Sequence, residues 1–177
     1  IEEGQLYGDI VLGLATEGLT STIEVDVVLT ATNRDNVQVG LSDNSKPIVR
    51  RIRICPFTFS TSYTGVPTAV LDPDVEADPF TVNFVQVDDY TFTLSTTWGP
   101  NYVGFLTGNP AFNGLFPYPS TFTLDPTTGI VTVTGNAGYA LGGSGSMDAC
   151  SGVITVTITD DLFAAFPTRV VFTPNPI

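Results

Sequence analysis

The chain contains no histidine, and it sets only six basic residues against eighteen acidic ones. The missing histidine removes the commonest general base and the commonest transition-metal ligand. Serine-histidine-aspartate and cysteine-histidine machinery is excluded with it. The formal charge of −12 at pH 7 argues against nucleic acid as a partner, because phosphate binding needs clustered Lys and Arg. An anionic membrane surface is disfavoured on the same ground. No apolar run is long enough to span a bilayer. The opening "IEEGQLYGDI" has neither the basic nor the apolar region of a leader peptide, so a mature or truncated product is expected. Helical periodicity is scarce too. The one helix-tolerant stretch, 160–168, is cut by Pro167.

What is present reads as β-structure. A hydrophobic fraction of 42% and a mean hydropathy of +0.24 describe a chain that folds. At 177 residues it is long enough for a sizeable core, in one large or two small domains. Strand signals cover 9–15, 21–31, 36–41, 47–54, 80–87, 90–97, 121–125, 129–135, 152–159 and 168–174. In 90–95, Tyr90, Phe92 and Leu94 face one way while Thr91, Thr93 and Ser95 face the other. In 152–159, Ile154, Val156 and Ile158 oppose Val153, Thr155, Thr157 and Thr159. One apolar and one Thr-rich face per strand is the mark of antiparallel sheets. Turn signals fit: Asp88-Asp89 for a tight hairpin and "DPTTG" at 125–129. The expected fold is all-β, an antiparallel sandwich, immunoglobulin-like or barrel-like, with long Gly- and aromatic-rich loops at 98–120 and 136–149.

Charge and punctuation suggest two units. Residues 1–53 hold eight acids and five bases, net −3; residues 54–177 hold ten acids and one base, net −9. The boundary falls at Cys55-Pro56. Residues 1–54 are then a partial or small immunoglobulin-like β unit, and 55–177 a C-terminal sandwich or barrel domain. The two cysteines, Cys55 and Cys150, are either buried thiols of a cytosolic protein or one disulfide of a secreted one. Thr-rich alternating strands and high acidity favour the secreted reading and the disulfide. A tetrahedral zinc site would need ligands the chain lacks.

The motifs "CPFTFSTSYTG" at 55–65, "TLDPTTGIVTV" at 123–133 and "GSMDACSGVITVTIT" at 145–159 resemble the C-terminal β domain of Bacteroidota surface lipoproteins. In that group a Cys-Pro opens the domain and a D-x-C-x-G strand lies near its end. The preceding "KPIVRRIRI" resembles the last strand of an upstream immunoglobulin-like domain. The resemblance spans roughly 47–173 and implies an exported protein of the cell surface or outer membrane, with a binding or scaffolding role. Cys55 is not a lipidated cysteine, since "RIRI" stands where a small-residue lipobox is required. Any lipid anchor is expected upstream of Ile1.

Candidate sites are weighed against plainer roles. Asp72, Asp74, Glu76 and Asp78 alternate like the first ligands of a calcium loop. The pattern then fails, with Ala77 where glycine and Asn83 where glutamate would stand, so calcium is the weaker reading and a solvated loop the stronger. Asp88, Asp89, Asp125, Asp148, Asp160 and Asp161 could supply a glycosidase pair in number but form no motif, so no enzyme is expected. Trp98, Tyr102, Phe105, Phe112, Phe116 and Tyr118 either plug one end of the sandwich or present a ligand or partner surface, with Trp98, Tyr102 and Tyr118 as its best members. Arg51 and Arg53 share a strand face and are either a charged edge or a docking site for a partner. The expected function is a non-enzymatic, extracytoplasmic structural or accessory component of a cell-surface assembly, meeting other surface proteins. The alternatives are a carbohydrate-binding module using 98–118, with glycans as ligand, and a filament or adhesin subunit.

Overall fold

The computed structural model of the chain describes Gly13 and residues 19–29, 48–163 and 166–176. Two of the expected strands, 9–15 and 36–41, lie outside the described residues except for Gly13. Strands β1 (Ile23–Leu29) and β2 (Ile48–Ile54) pair antiparallel as a two-stranded sheet of their own. In β2 the arginines Arg51 and Arg53 are exposed, Ile52 is half-buried and Ile54 is buried, the alternation that a period of two requires.

The remaining strands are β3 (Ser62–Ala69), β4 (Val75–Glu76), β5 (Phe80–Asn83), β6 (Val85–Asp88), β7 (Thr91–Leu94), β8 (Ser120–Leu124), β9 (Ile130–Gly135), β10 (Ala140–Met147), β11 (Ile154–Asp160) and β12 (Thr168–Pro174). They form one ten-stranded antiparallel sheet in the order β4, β3, β12, β11, β10, β9, β8, β7, β6, with β5 also on β3. The all-β expectation holds. The inward rows, such as Phe92, Phe122 and Val133, are buried, while Thr91, Thr123 and Thr132 run side by side on the outer face.

The stretch 80–87 is not the single strand expected. It breaks at Phe84: β5 pairs with β3 and β6 pairs with β7. One extended segment therefore touches both limits of the sheet and draws it into a barrel-like closure. Phe84 donates its N–H to the Thr61 carbonyl at 3.0 Å. Its ring packs against Tyr63, Phe122 and Phe172, at centroid distances of 4.4, 5.4 and 5.5 Å. The closure is thus centred on an aromatic core.

Three further corrections concern local structure. The glycine-rich stretch 136–149 is expected to be a loop, yet 140–147 is a full strand. A Cβ at Gly143 would collide with the Thr157 carbonyl, and one at Gly145 with that of Thr155. Glycine here permits close approach of β10 to β11 rather than flexibility. As Pro167 leads one to expect, the helix-tolerant stretch 160–168 is no helix where it is described; the helix lies elsewhere. Among the described residues the α-helix is α1 (Tyr102–Thr107), inside the supposed loop. Finally β3 holds Pro67, which hides it from a strand reading. The Pro67 carbonyl accepts from Ala77 N at 2.9 Å, so its missing N–H points the same way, into the gap between β5 and β4 where no ladder partner waits.

Cys55 and Cys150 form a disulfide. It joins the residue after β2 to the turn between β10 and β11.

Candidate functional site

Antiparallel pairing brings the segments 70–79, 95–119, 136–139 and 161–163 to one end of the sheet. The longest of them, 95–119, lies across that end as a lid. Its rim is held by a bond from Thr97 N to the Tyr118 carbonyl at 2.8 Å and by a hydroxyl pair, Thr97 with Ser120, at 2.6 Å. Within it, Gly114 N donates to the Pro100 carbonyl at 2.7 Å.

Trp98, Tyr102 and Tyr118 are the anchors of this lid. They are 1%, 2% and 0% exposed. The indole lies 5.1 Å from the Tyr102 ring and 4.8 Å from that of Tyr118. Each polar tip has a partner, as buried aromatics require. Trp98 Nε1 donates to the Phe116 carbonyl at 2.9 Å, and the Tyr102 hydroxyl pairs with Thr168 Oγ1 at 2.8 Å. The Tyr118 hydroxyl donates to the Thr159 carbonyl at 2.6 Å and accepts from Gly142 N at 2.7 Å. None of the three turns a face to solvent, so a sugar platform built on them is not formed. Burial pushes the Tyr102 hydroxyl up to about 12, with the Asp160 charge adding to it and the Thr168 bond opposing.

The surface of the lid is apolar in a different set of residues. Phe105 and Leu115 are 42% and 62% exposed. Phe112 and Phe116 lie half-buried beneath, their rings 6.0 Å apart, and Phe116 meets the Tyr139 ring edge-on at 6.0 Å. Sequence reasoning grouped all six aromatics together. Strand phase singles out Trp98, which continues the inward row Phe92, Leu94, Thr96; beyond the Gly99-Pro100 turn no periodicity separates buried Tyr102 and Tyr118 from exposed Phe105.

Beside the lid is a cavity of about 80 Å³. Phe80, Trp98, Tyr102 and Phe105 line it, and Asp78 and Asn101 are the polar side chains among the lining residues. It lies where the acidic loop 70–79 meets the lid. The four acids of that loop do not gather round a common point: no group of three or more potential metal ligands occurs among the described residues. Asp74 instead pairs with Arg169 at 2.9 Å.

The other carboxylates serve their own turns. Asp88 accepts from Tyr90 N at 3.0 Å, Asp125 from Thr127 N at 2.8 Å, and Asp148 from Ser151 N and Oγ at 2.6 and 2.7 Å. These bonds hold all three below the usual carboxylate range; for Asp148 the Ser151 hydroxyl contributes most. Arg51 forms a two-pronged bond with Asp26, at 2.8 and 3.1 Å, and a longer contact with Glu24 at 3.6 Å. Arg53 is exposed and has no ion pair among the described residues.

Asp160 differs from the rest. It is 8% exposed; Oδ1 accepts from Leu162 N and Phe163 N, both at 2.8 Å, and Oδ2 has no hydrogen-bond partner. Burial raises its pKa, and the two backbone N–H groups only partly oppose this. The folded chain therefore keeps this proton to higher pH than the unfolded chain. The resulting contribution to stability is full below the ordinary carboxylate pKa and is lost as pH rises through the folded value. Asp160→Asn retains Oδ1 and removes the buried charge. It is expected to raise stability at pH 7 by about 1 kcal/mol, the low end for an unsatisfied buried group, and to change little at a pH of about 3.5, below the ordinary carboxylate pKa. Urea midpoints of both proteins at the two pH values check this. A variant equally shifted at both would contradict it.

No family model matches the chain, and no curated protein matches it. Among solved structures it is similar to a lipoprotein of Bacteroides thetaiotaomicron, at 14% identity and a TM-score of 0.46, over 86% of this chain and 76% of that one.

Proposed function

We propose that the chain is a non-enzymatic, extracytoplasmic structural or accessory component of a cell-surface protein assembly, and that it meets its partner with the lid end of the sheet. One observation carries this reading. The lid is nailed down from below by Trp98, Tyr102 and Tyr118, yet it turns Phe105 and Leu115 outward at 42% and 62% exposure. Rigid, partly exposed apolar side chains at the centre of a patch are what an interface uses as anchors. The disulfide suits an oxidising compartment. The carboxylates support the non-enzymatic part. Asp88, Asp125 and Asp148 are held ionised by their own turns, the reverse of the upward tuning that a general acid needs. Asp160, whose pKa burial raises, is 8% exposed and bonded to its own turn rather than open to a substrate. No described helix is long and apolar enough to cross a membrane.

The test is assembly. Detergent extracts of cells carrying the tagged native protein should contain it in a particle larger than the monomer. Phe105→Asp with Leu115→Asp should release it as a monomer, with only a small fall in melting temperature, because Leu115 is mostly exposed and Phe105 partly so. Retention of the double variant in the particle, or a native protein that is monomeric in the extract, contradicts the reading.

A further inference from the structure

The cavity beside the lid has walls and a charge that select one kind of occupant. Phe80 is its most constrained wall. A Cβ on Gly65 would lie 2.6 Å from the Phe80 Cζ, and one on Gly99 would lie 2.8 Å from its Cδ1. The ring is thus seated directly on two stretches of bare backbone, and it meets Phe172 edge-on at 6.3 Å and 82°. Gly99 also has a φ of +86°, which other residues adopt only with strain. Across from it the Trp98 and Tyr102 rings are locked together at 5.1 Å, and Phe105 forms the open rim. The cavity is therefore present before anything binds, which removes an ordering cost from binding.

Its polar lining includes one carboxylate, Asp78, which has no ion pair among the described residues. The one base after residue 53, Arg169, is already taken by Asp74 at 2.9 Å. Asp72 and Glu76 stand exposed on the same loop, so nothing there neutralises the site. At about 80 Å³ the space is well under the ~300 Å³ at which small-molecule pockets begin. It suits a single side chain.

We propose that this cavity receives an arginine or lysine side chain presented by the partner protein. Phe80 and Phe105, the lining rings that keep solvent exposure, cover the methylene stem and attract the cation, and Asp78 closes a charge-assisted hydrogen bond. Anions are repelled. A bare metal ion finds one carboxylate where it needs several oxygens. A side chain on a partner that also covers Phe105 and Leu115 gains the burial of the whole face. The inference rests on the docking role proposed for the lid end and names the group that end recognises.

The chain has a single tryptophan, and it lines the cavity, so its fluorescence reports occupancy. The full chain is titrated with acetyl-Gly-Arg-Gly-amide and with the same peptide carrying citrulline, a neutral side chain of nearly the same shape. A saturable change in Trp98 emission is expected for the arginine peptide, with about tenfold tighter binding than for citrulline, the scale of one ion pair plus one cation–π contact. Salt should narrow the difference, and Asp78→Asn should shrink it to the share that the rings supply. Equal binding of the two peptides overturns the proposal, as does undiminished discrimination in Asp78→Asn, or no saturable change with the arginine peptide. The two readings fail separately. If the peptide series fails while Phe105→Asp with Leu115→Asp still releases the chain from its particle, the cavity inference falls and the docking role stands. If the peptides behave as expected but the double variant stays in the particle, the cavity binds a basic side chain and the docking role falls.

Discussion

Replacing both cysteines, Cys55→Ala with Cys150→Ala, is expected to destabilise the fold by about 4–5 kcal/mol, the chain-entropy value for a closed loop of this length. The bond spans 95 residues of sequence, and it holds together parts of the chain that no ladder joins. Cys55 lies just after β2, and Cys150 lies in the turn between β10 and β11. Without the bond, the unfolded chain regains the freedom of nearly the whole segment between them. The sheet keeps its hydrogen bonds, so a β-type circular dichroism spectrum should survive. The melting temperature should fall by roughly 10–15 °C, since a domain of this size loses about 2–4 °C per kcal/mol. Reduction of the native protein with dithiothreitol should reproduce the shift. A double variant within about 1 kcal/mol of the native protein would sink the argument, and would mean that the unfolded chain is already compact around these positions.

Much of this architecture was legible, and the places where it was not have identifiable causes. Strands β7 and β11 alternate cleanly because each buries one face only, although β7 is shorter than the expected 90–97 and Tyr90 is exposed rather than part of its inward row. The turns at Asp88 and Asp125 were readable because aspartate there bonds the backbone of its own turn. The break at Phe84 was written as a slip of phase. Apolar residues fall on even positions through Phe80, Val82 and Phe84, then on odd ones at Val85 and Val87, and those two valines are 60% and 63% exposed. A single strand cannot hold both phases on one face. Strand β10 was illegible because close approach to β11 selects glycine against every local strand preference. Helix α1 has only six residues and owes its place to the packing of Tyr102 and Val103 rather than to any periodicity. The cavity was beyond reach for a different reason. Asp78 and Trp98 are distant in sequence and share a wall only because β5 pairs with β3 beneath the lid.

Trp98→Ala tests the lid itself and should cost about 3–5 kcal/mol, the range for deleting a fully buried large aromatic. Three features place it in that range. The row Phe92, Leu94, Thr96 and Trp98 is buried throughout, so the indole is the last inward residue of the β7 segment. Its removal leaves the Tyr102 and Tyr118 rings facing a void, because each is pinned at its hydroxyl to a residue of the sheet and cannot follow. It also strips the Phe116 carbonyl of its donor, which for a part-buried group adds to the cost of the void. Trp98→Phe separates these terms. It keeps most of the ring area and loses only the N–H, so a smaller loss of about 1–2 kcal/mol is expected. Because the variants lack the only tryptophan, unfolding has to be followed by circular dichroism in urea, and protease cleavage within 98–119 gives a second readout. A Trp98→Ala protein with nearly native stability and an uncleaved lid would show that 95–119 is held by its backbone bonds alone. The exposed Phe105 and Leu115 would then no longer depend on the rings beneath them.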